Sequence, residues 1–186
     1  RLVVLHSTAA ATSSQRPRVD ERASERVRES SGRSGIAGAD HGRSWYKARA
    51  VFETFDHTAD LGLRVTAGCL EELFAEAARG LTSLLVEDPS AVGSDHRAEF
   101  AVSGTEADLL LLDLLGELLF RFETTGFLGR EFDVTRTSGG LLAQARGEVI
   151  EDQPHRLSRE VKAITYHGLK VEQQDGGWLA EVIVDI

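Results

Sequence analysis

From Val51 onward the apolar residues recur at spacings that name the elements they build. Val51-Phe52-Glu53-Thr54-Phe55 alternates as a half-buried strand does, and the polar run Asp56-His57-Thr58-Ala59-Asp60 follows it. Leu61, Leu63 and Val65 alternate with Gly62, Arg64 and Thr66, a second strand that Gly68 ends. The period then changes. Leu70, Leu73, Phe74, Ala77, Leu81, Leu84 and Leu85 fall on one face of a helix, with Glu71, Glu72 and Glu76 in the early turns, where the helix dipole favours anions. Pro89 and Gly93 close it.

Glu99 to Ser103 alternates again, and Thr105-Glu106-Ala107-Asp108 has the spacing of a capping box with Asp in place of Glu. The segment from Leu109 to Phe122 is apolar over more than one face and predicts a central buried helix, with Gly126 at the turn beyond it. Phe132 and Val134 open a strand that pairs through Gly139-Gly140 with Leu141 to Val149. After Pro154, Val161 to Val171 and Trp178 to Val184 give two more strands about the turn Asp175-Gly176-Gly177. Two helices and six or seven strands joined by short turns predict an α+β fold, two helices packed on a mostly antiparallel sheet as a sandwich.

Composition divides the chain. Residues 1–50 carry ten Lys and Arg against five Asp and Glu, whereas residues 51–186 carry 11 against 25, a net charge of −14. From Ser7 to Lys47 there is too little apolar surface to offset the entropy of ordering. Residues 1–48 are therefore expected to be a disordered Ser/Arg/Ala-rich extension, and 49–186 the folded domain. Asp20, Glu21, Glu25 and Glu29 spoil the acid-poor pattern of a targeting peptide. A domain so acidic repels a phosphate backbone and suits a cation or a basic protein surface. No apolar run is long enough to span a bilayer, and one cysteine permits neither an internal disulfide nor a Cys-rich zinc cage. A protein without membrane or secretory features is expected to work in the cytoplasm.

Candidate chemistry lies in three places. Asp56 and Asp60 bracket His57 and Thr58; these side chains either offer hard oxygen ligands to a divalent ion or satisfy backbone N–H groups in a loop. Glu181-Val182-Ile183-Val184-Asp185-Ile186 is a strand with an aspartate at its end, either solvated or, if Ile186 is the C-terminus, one member of an anionic cluster that needs a cation. Lys162 opens an otherwise apolar strand and is either a snorkelling edge residue or a cation held near carboxylates. Arg156, Arg159 and Lys162 make the domain's only basic grouping. Cys69 stands where a helix N-terminus could lower a thiol's pKa, but the position equally suits a structural N-cap. Phosphate-binding loops, dinucleotide fingerprints and the nucleophile elbow are all missing.

Three stretches in register resemble the archease family: Phe55-Asp56-His57-Thr58-Ala59-Asp60-Leu61-Gly62 followed by Leu70-Glu71-Glu72-Leu73-Phe74, then Glu160-Val161-Lys162-Ala163-Ile164-Thr165-Tyr166-His167, and finally Ile183-Val184-Asp185-Ile186. The resemblance implies a protein cofactor of an RtcB-type RNA ligase, which joins RNA through a guanylylated histidine in tRNA splicing or RNA repair. Such a protein promotes guanylylation and multiple turnover, is not itself an enzyme, and meets GTP and RNA only through the ligase. The resemblance also implies a divalent metal site at Asp60, Asp185 and Ile186, the last through a main-chain or terminal oxygen, and gives Lys162 a part in activating the ligase. Calcium is the metal it implies; magnesium and manganese suit the same hard donors. The rival expectation is a metal-dependent RNA phosphohydrolase or nuclease acting alone, against which stands the lack of a convincing water-activating base or a second metal cluster.

Overall fold

The computed structural model describes residues 50–57, 60–150, 157–174 and 176–186. The extension expected over residues 1–48 lies outside them, as do Thr58, Ala59, Pro154, Arg156 and Asp175. In chain order the elements are β1 (Val51–His57), β2 (Asp60–Ala67), α1 (Leu70–Leu85), β3 (His96–Ser103), α2 (Ala107–Thr125), β4 (Phe127–Thr137), β5 (Gly140–Val149), β6 (Ala163–Gln174) and β7 (Gly177–Asp185), with a short 3-10 turn at Pro89–Ala91. The strands form two sheets, β1-β2-β7-β6 and β3-β5-β4, in which every paired neighbour is antiparallel. This is the expected α+β sandwich, with the strands divided between two sheets.

Both helices touch strands of both sheets: α1 packs on β4 and β2, and α2 on β6 and β3. The helical spacing read from α1 is borne out, since Leu70, Leu73, Phe74, Ala77, Leu81, Leu84 and Leu85 are all buried. Thr82 is buried with them and donates its hydroxyl to the Gly129 carbonyl at 2.7 Å, which ties α1 to β4 without leaving an unsatisfied polar group. Cys69 does occupy the N-cap, but its side chain makes no capping hydrogen bond.

Helix α2 departs from expectation at both its start and its surface. Its N-cap is Glu106 rather than Thr105, so the capping-box spacing is lost; Asp108 instead accepts from the Leu109 N–H at 2.9 Å. Leu110, Leu111, Leu114, Leu115, Leu118 and Leu119 are buried, while Leu109 and Phe120 are exposed on the opposite side. Gly126 ends the helix in the left-handed region at φ 69°, where a Cβ would be strained.

Strand limits shift where alternation fails. β4 begins at Phe127, not near Phe132, because Phe127, Leu128 and Gly129 are all buried and a register shift between Gly129 and Glu131 breaks the two-residue period. β3 starts at His96, ahead of the alternation from Glu99. β6 begins one residue after Lys162, which therefore stands just outside the strand it was expected to open.

Candidate functional site

In β2 the apolar residues Leu61, Leu63 and Val65 point into the core, and in β7 so do Ala180, Val182 and Val184. Strand alternation then turns Asp60, Gly62 and Arg64 outward, together with Glu181, Ile183 and Asp185. The last β2–β7 pair is Leu61 with Val184, so the next step of the register sets Asp60 opposite Asp185 on this outer face. His57 pairs with Asp60 on the other flank, and Ala163 with Asp185. One row across the rim of the sheet thus reads His57, Asp60, Asp185, Ala163.

Lys162 meets the same rim from just ahead of β6. Its main-chain N–H donates to the Asp185 carbonyl at 2.9 Å, and its ammonium donates to the Ile186 carbonyl oxygen, also at 2.9 Å. Asp60, Asp185 and Ile186 are half-buried and Lys162 is exposed. The four residues singled out from the sequence, separated by up to 126 positions, therefore gather at one end of the four-stranded sheet. Of the expected basic grouping, Arg159 lines the same groove as Lys162, with Phe122 and Leu157, and Arg156 lies outside the described residues. Cys69 follows the far end of β2 from Asp60 and takes no part.

Other charges on this face are matched by carboxylates. Arg64 donates to Glu181 at 2.7 Å and to Glu53 at 2.9 Å, and lies over the Phe55 ring at 5.1 Å. Hydrogen bonding to Glu181, then to Glu53, pushes its pKa up. Lys170 pairs with Glu172 at 2.8 Å; the Glu172 hydrogen bond raises the lysine, and the same bond, with a lesser one from Gln174, lowers the glutamate. Lys162 differs in giving its ammonium to a main-chain oxygen.

Two histidines belong to the neighbourhood and were not foreseen as a pair. The register of β6 shifts between Thr165 and Lys170, with Gly168 at φ 68°, and the displaced loop of strand passes over buried Ile183. His167 thereby comes to 6.0 Å from His57, ring centre to ring centre. The His57 Nδ1 atom is buried without a hydrogen-bond partner. The sequence signal was His167-Gly168 inside a strand, since glycine there marks a bulge.

Among the described residues, no group of three or more His, Cys, Asp or Glu side chains is arranged to hold an ion. The set implied by resemblance asks for less, two carboxylates and a main-chain oxygen, all hard donors. These residues fit it in one further respect: the Ile186 oxygen already accepts from a cation, the Lys162 ammonium.

Residues 52–186 match the archease protein family (MTH1598/TM1083). Over 139 residues the chain is 39% identical to protein archease of Methanopyrus kandleri, covering 73% of this chain and 99% of that protein. The solution structure of protein 1598 of Methanobacterium thermoautotrophicum is similar with a TM-score of 0.63 at 33% identity, covering 73% of this chain and 98% of the other. The crystal structure of an archease, described as a possible chaperone, from Thermotoga maritima gives a TM-score of 0.54 at 21% identity over 72% of this chain and 96% of the other. That last likeness is one of fold.

Proposed function

Because the chain belongs to the archease family, we propose that it is an accessory activator of an RtcB-type RNA ligase, promoting the ligase's guanylylation and repeated turnover in tRNA splicing or RNA repair. It works in the cytoplasm as a protein cofactor, not as an enzyme, and meets GTP and RNA only in the ligase's active site. The observation that carries this reading is the convergence of Asp60, Asp185, Ile186 and Lys162 at one rim, where register and a 2.9 Å hydrogen bond bring together residues from both ends of the folded part.

Asp60, Asp185 and the Ile186 oxygen would hold a divalent ion, calcium by resemblance, which when bound supplies concentrated positive charge for a triphosphate. The rest falls to the chain's own groups. Asp60 and Asp185 present negative charge on a single exposed face, and the −14 balance of residues 51–186 favours docking on a basic, RNA-binding cleft. Lys162, at the same rim, offers a compact cation on a rotatable stem that reaches a phosphate oxygen of the ligase's nucleotide. Stabilising charge in this way needs no covalent bond to the activator.

The test is a single-turnover guanylylation assay of a cognate ligase with GTP and a divalent metal, with and without the full chain. Acceleration that Asp60→Ala or Lys162→Ala abolishes supports the reading. Retained acceleration with both substitutions overturns the assignment of the site, and RNA cleavage by the chain alone would favour the hydrolase instead.

A further inference from the structure

Resting on that reading of the rim, we infer that Lys162 is a built-in competitor of the divalent ion. Its ammonium hydrogen-bonds the Ile186 oxygen and is released toward the partner when an ion takes that oxygen.

Three observations lead there. The ammonium is hydrogen-bonded at 2.9 Å to the very oxygen that the ion would need. Among the described residues no ion pair joins Lys162 to Asp60 or Asp185, so this oxygen is the side chain's anchor. The lysine's main chain is fastened separately, N–H to the Asp185 carbonyl at 2.9 Å, so the side chain can swing away without unpicking the junction of β6 and β7. The side chain is also exposed, so its departure opens no cavity and buries no charge.

An ion and an ammonium sharing one oxygen are like charges within a few ångströms of each other, and each weakens the other's hold. The ion carries twice the charge and has two carboxylates besides, so it wins at sufficient concentration. The freed lysine is then a cation without an internal partner at the face that meets the ligase. Ion binding and presentation of Lys162 become one event, and the lysine lowers the affinity of the site it serves.

Calcium titration of the purified full chain by calorimetry, without ligase, tests this with wild type, Lys162→Met, Lys162→Arg and Asp60→Ala. Methionine keeps the stem and removes the charge, and should tighten calcium binding roughly five- to thirtyfold. Arginine keeps the charge and should bind calcium like wild type. Lys162→Met binding calcium no tighter than wild type, with Asp60→Ala deficient, would overturn the competition and leave the ion site standing. Asp60→Ala binding calcium like wild type would overturn the ion site and this inference with it. Thermal melts of each variant in chelator confirm that the comparison is between folded proteins.

Discussion

The Lys162 ammonium donates to the Ile186 carbonyl oxygen at 2.9 Å, joining the residue just before β6 to the residue just after β7 at the rim of the sheet. Since the lysine is exposed and contributes one surface hydrogen bond, Lys162→Ala should change stability by no more than about 0.5 kcal/mol. It should nevertheless abolish stimulation of the ligase. Denaturant unfolding and single-turnover guanylylation, run on the same preparation, separate the two effects; a collapse in stability matching the lost activity would make the lysine structural.

Facing like charges destabilise a strand pair by about 0.2–1 kcal/mol. Asp60→Asn should therefore raise the melting temperature slightly in chelator, since it removes one of the carboxylates set opposite each other by the register of β2 and β7. In millimolar calcium the order should reverse, because a ligand that binds only the folded state stabilises it and the variant forgoes that gain. Equal calcium shifts in both proteins would remove Asp60 from the ligand set.

Glu172 makes a pH-dependent contribution whose sign is fixed by its lowered pKa, caused first by Lys170 and then by Gln174. The unfolded carboxyl takes up its proton at higher pH than the folded one. Its stabilisation is therefore complete above the ordinary carboxylate range and is lost as pH falls through the lowered value. The raised pKa of Lys170 works oppositely, its share being present below the ordinary lysine range and lost as pH climbs through the raised value. Glu172→Gln should melt slightly below wild type at neutral pH, with the gap closing in acid and shrinking in about 0.5 M salt. A gap that persists in acid would assign the effect to packing.

Burial divides the apolar residues into two classes of consequence. Leu63, fully buried between the sheet and α1, should cost about 2–5 kcal/mol as Leu63→Ala. Phe120, 57% exposed on α2, should change stability by no more than about 0.5 kcal/mol as Phe120→Ser. Urea unfolding of the two variants checks the contrast.

Most elements were legible because the chain alternates or repeats cleanly where one face is buried, as in β2 and α1. Legibility failed where burial is two-sided, since Phe127-Leu128-Gly129 carries no period, and where a cap depends on which residue begins the helix, as at Glu106. The candidate residues at the rim were each visible as chemical oddities. Their adjacency came only through the family resemblance and not from the local pattern, because strand order is a long-range property: nothing local to Asp60 says that β7 lies beside it. The approach of His167 to His57 was hidden for a related reason, since it depends on a register shift within β6.

The placing of β7 has a consequence for timing. It follows all the other strands in chain order, yet it lies in the middle of its sheet, with β2 on one side and β6 on the other. During synthesis the hairpin of β1 and β2 can emerge and pair early, while β6 has no neighbour in that sheet until β7 has been made. The rim that joins Asp60, Asp185 and Lys162 cannot exist on a partly made chain: a polypeptide interrupted before β7 carries Asp60 and Lys162 without Asp185 and Ile186, and leaves two apolar strand flanks open to aggregation. Closing the sheet and completing the site are a single late step of folding, bridging residues far apart in sequence and correspondingly slow.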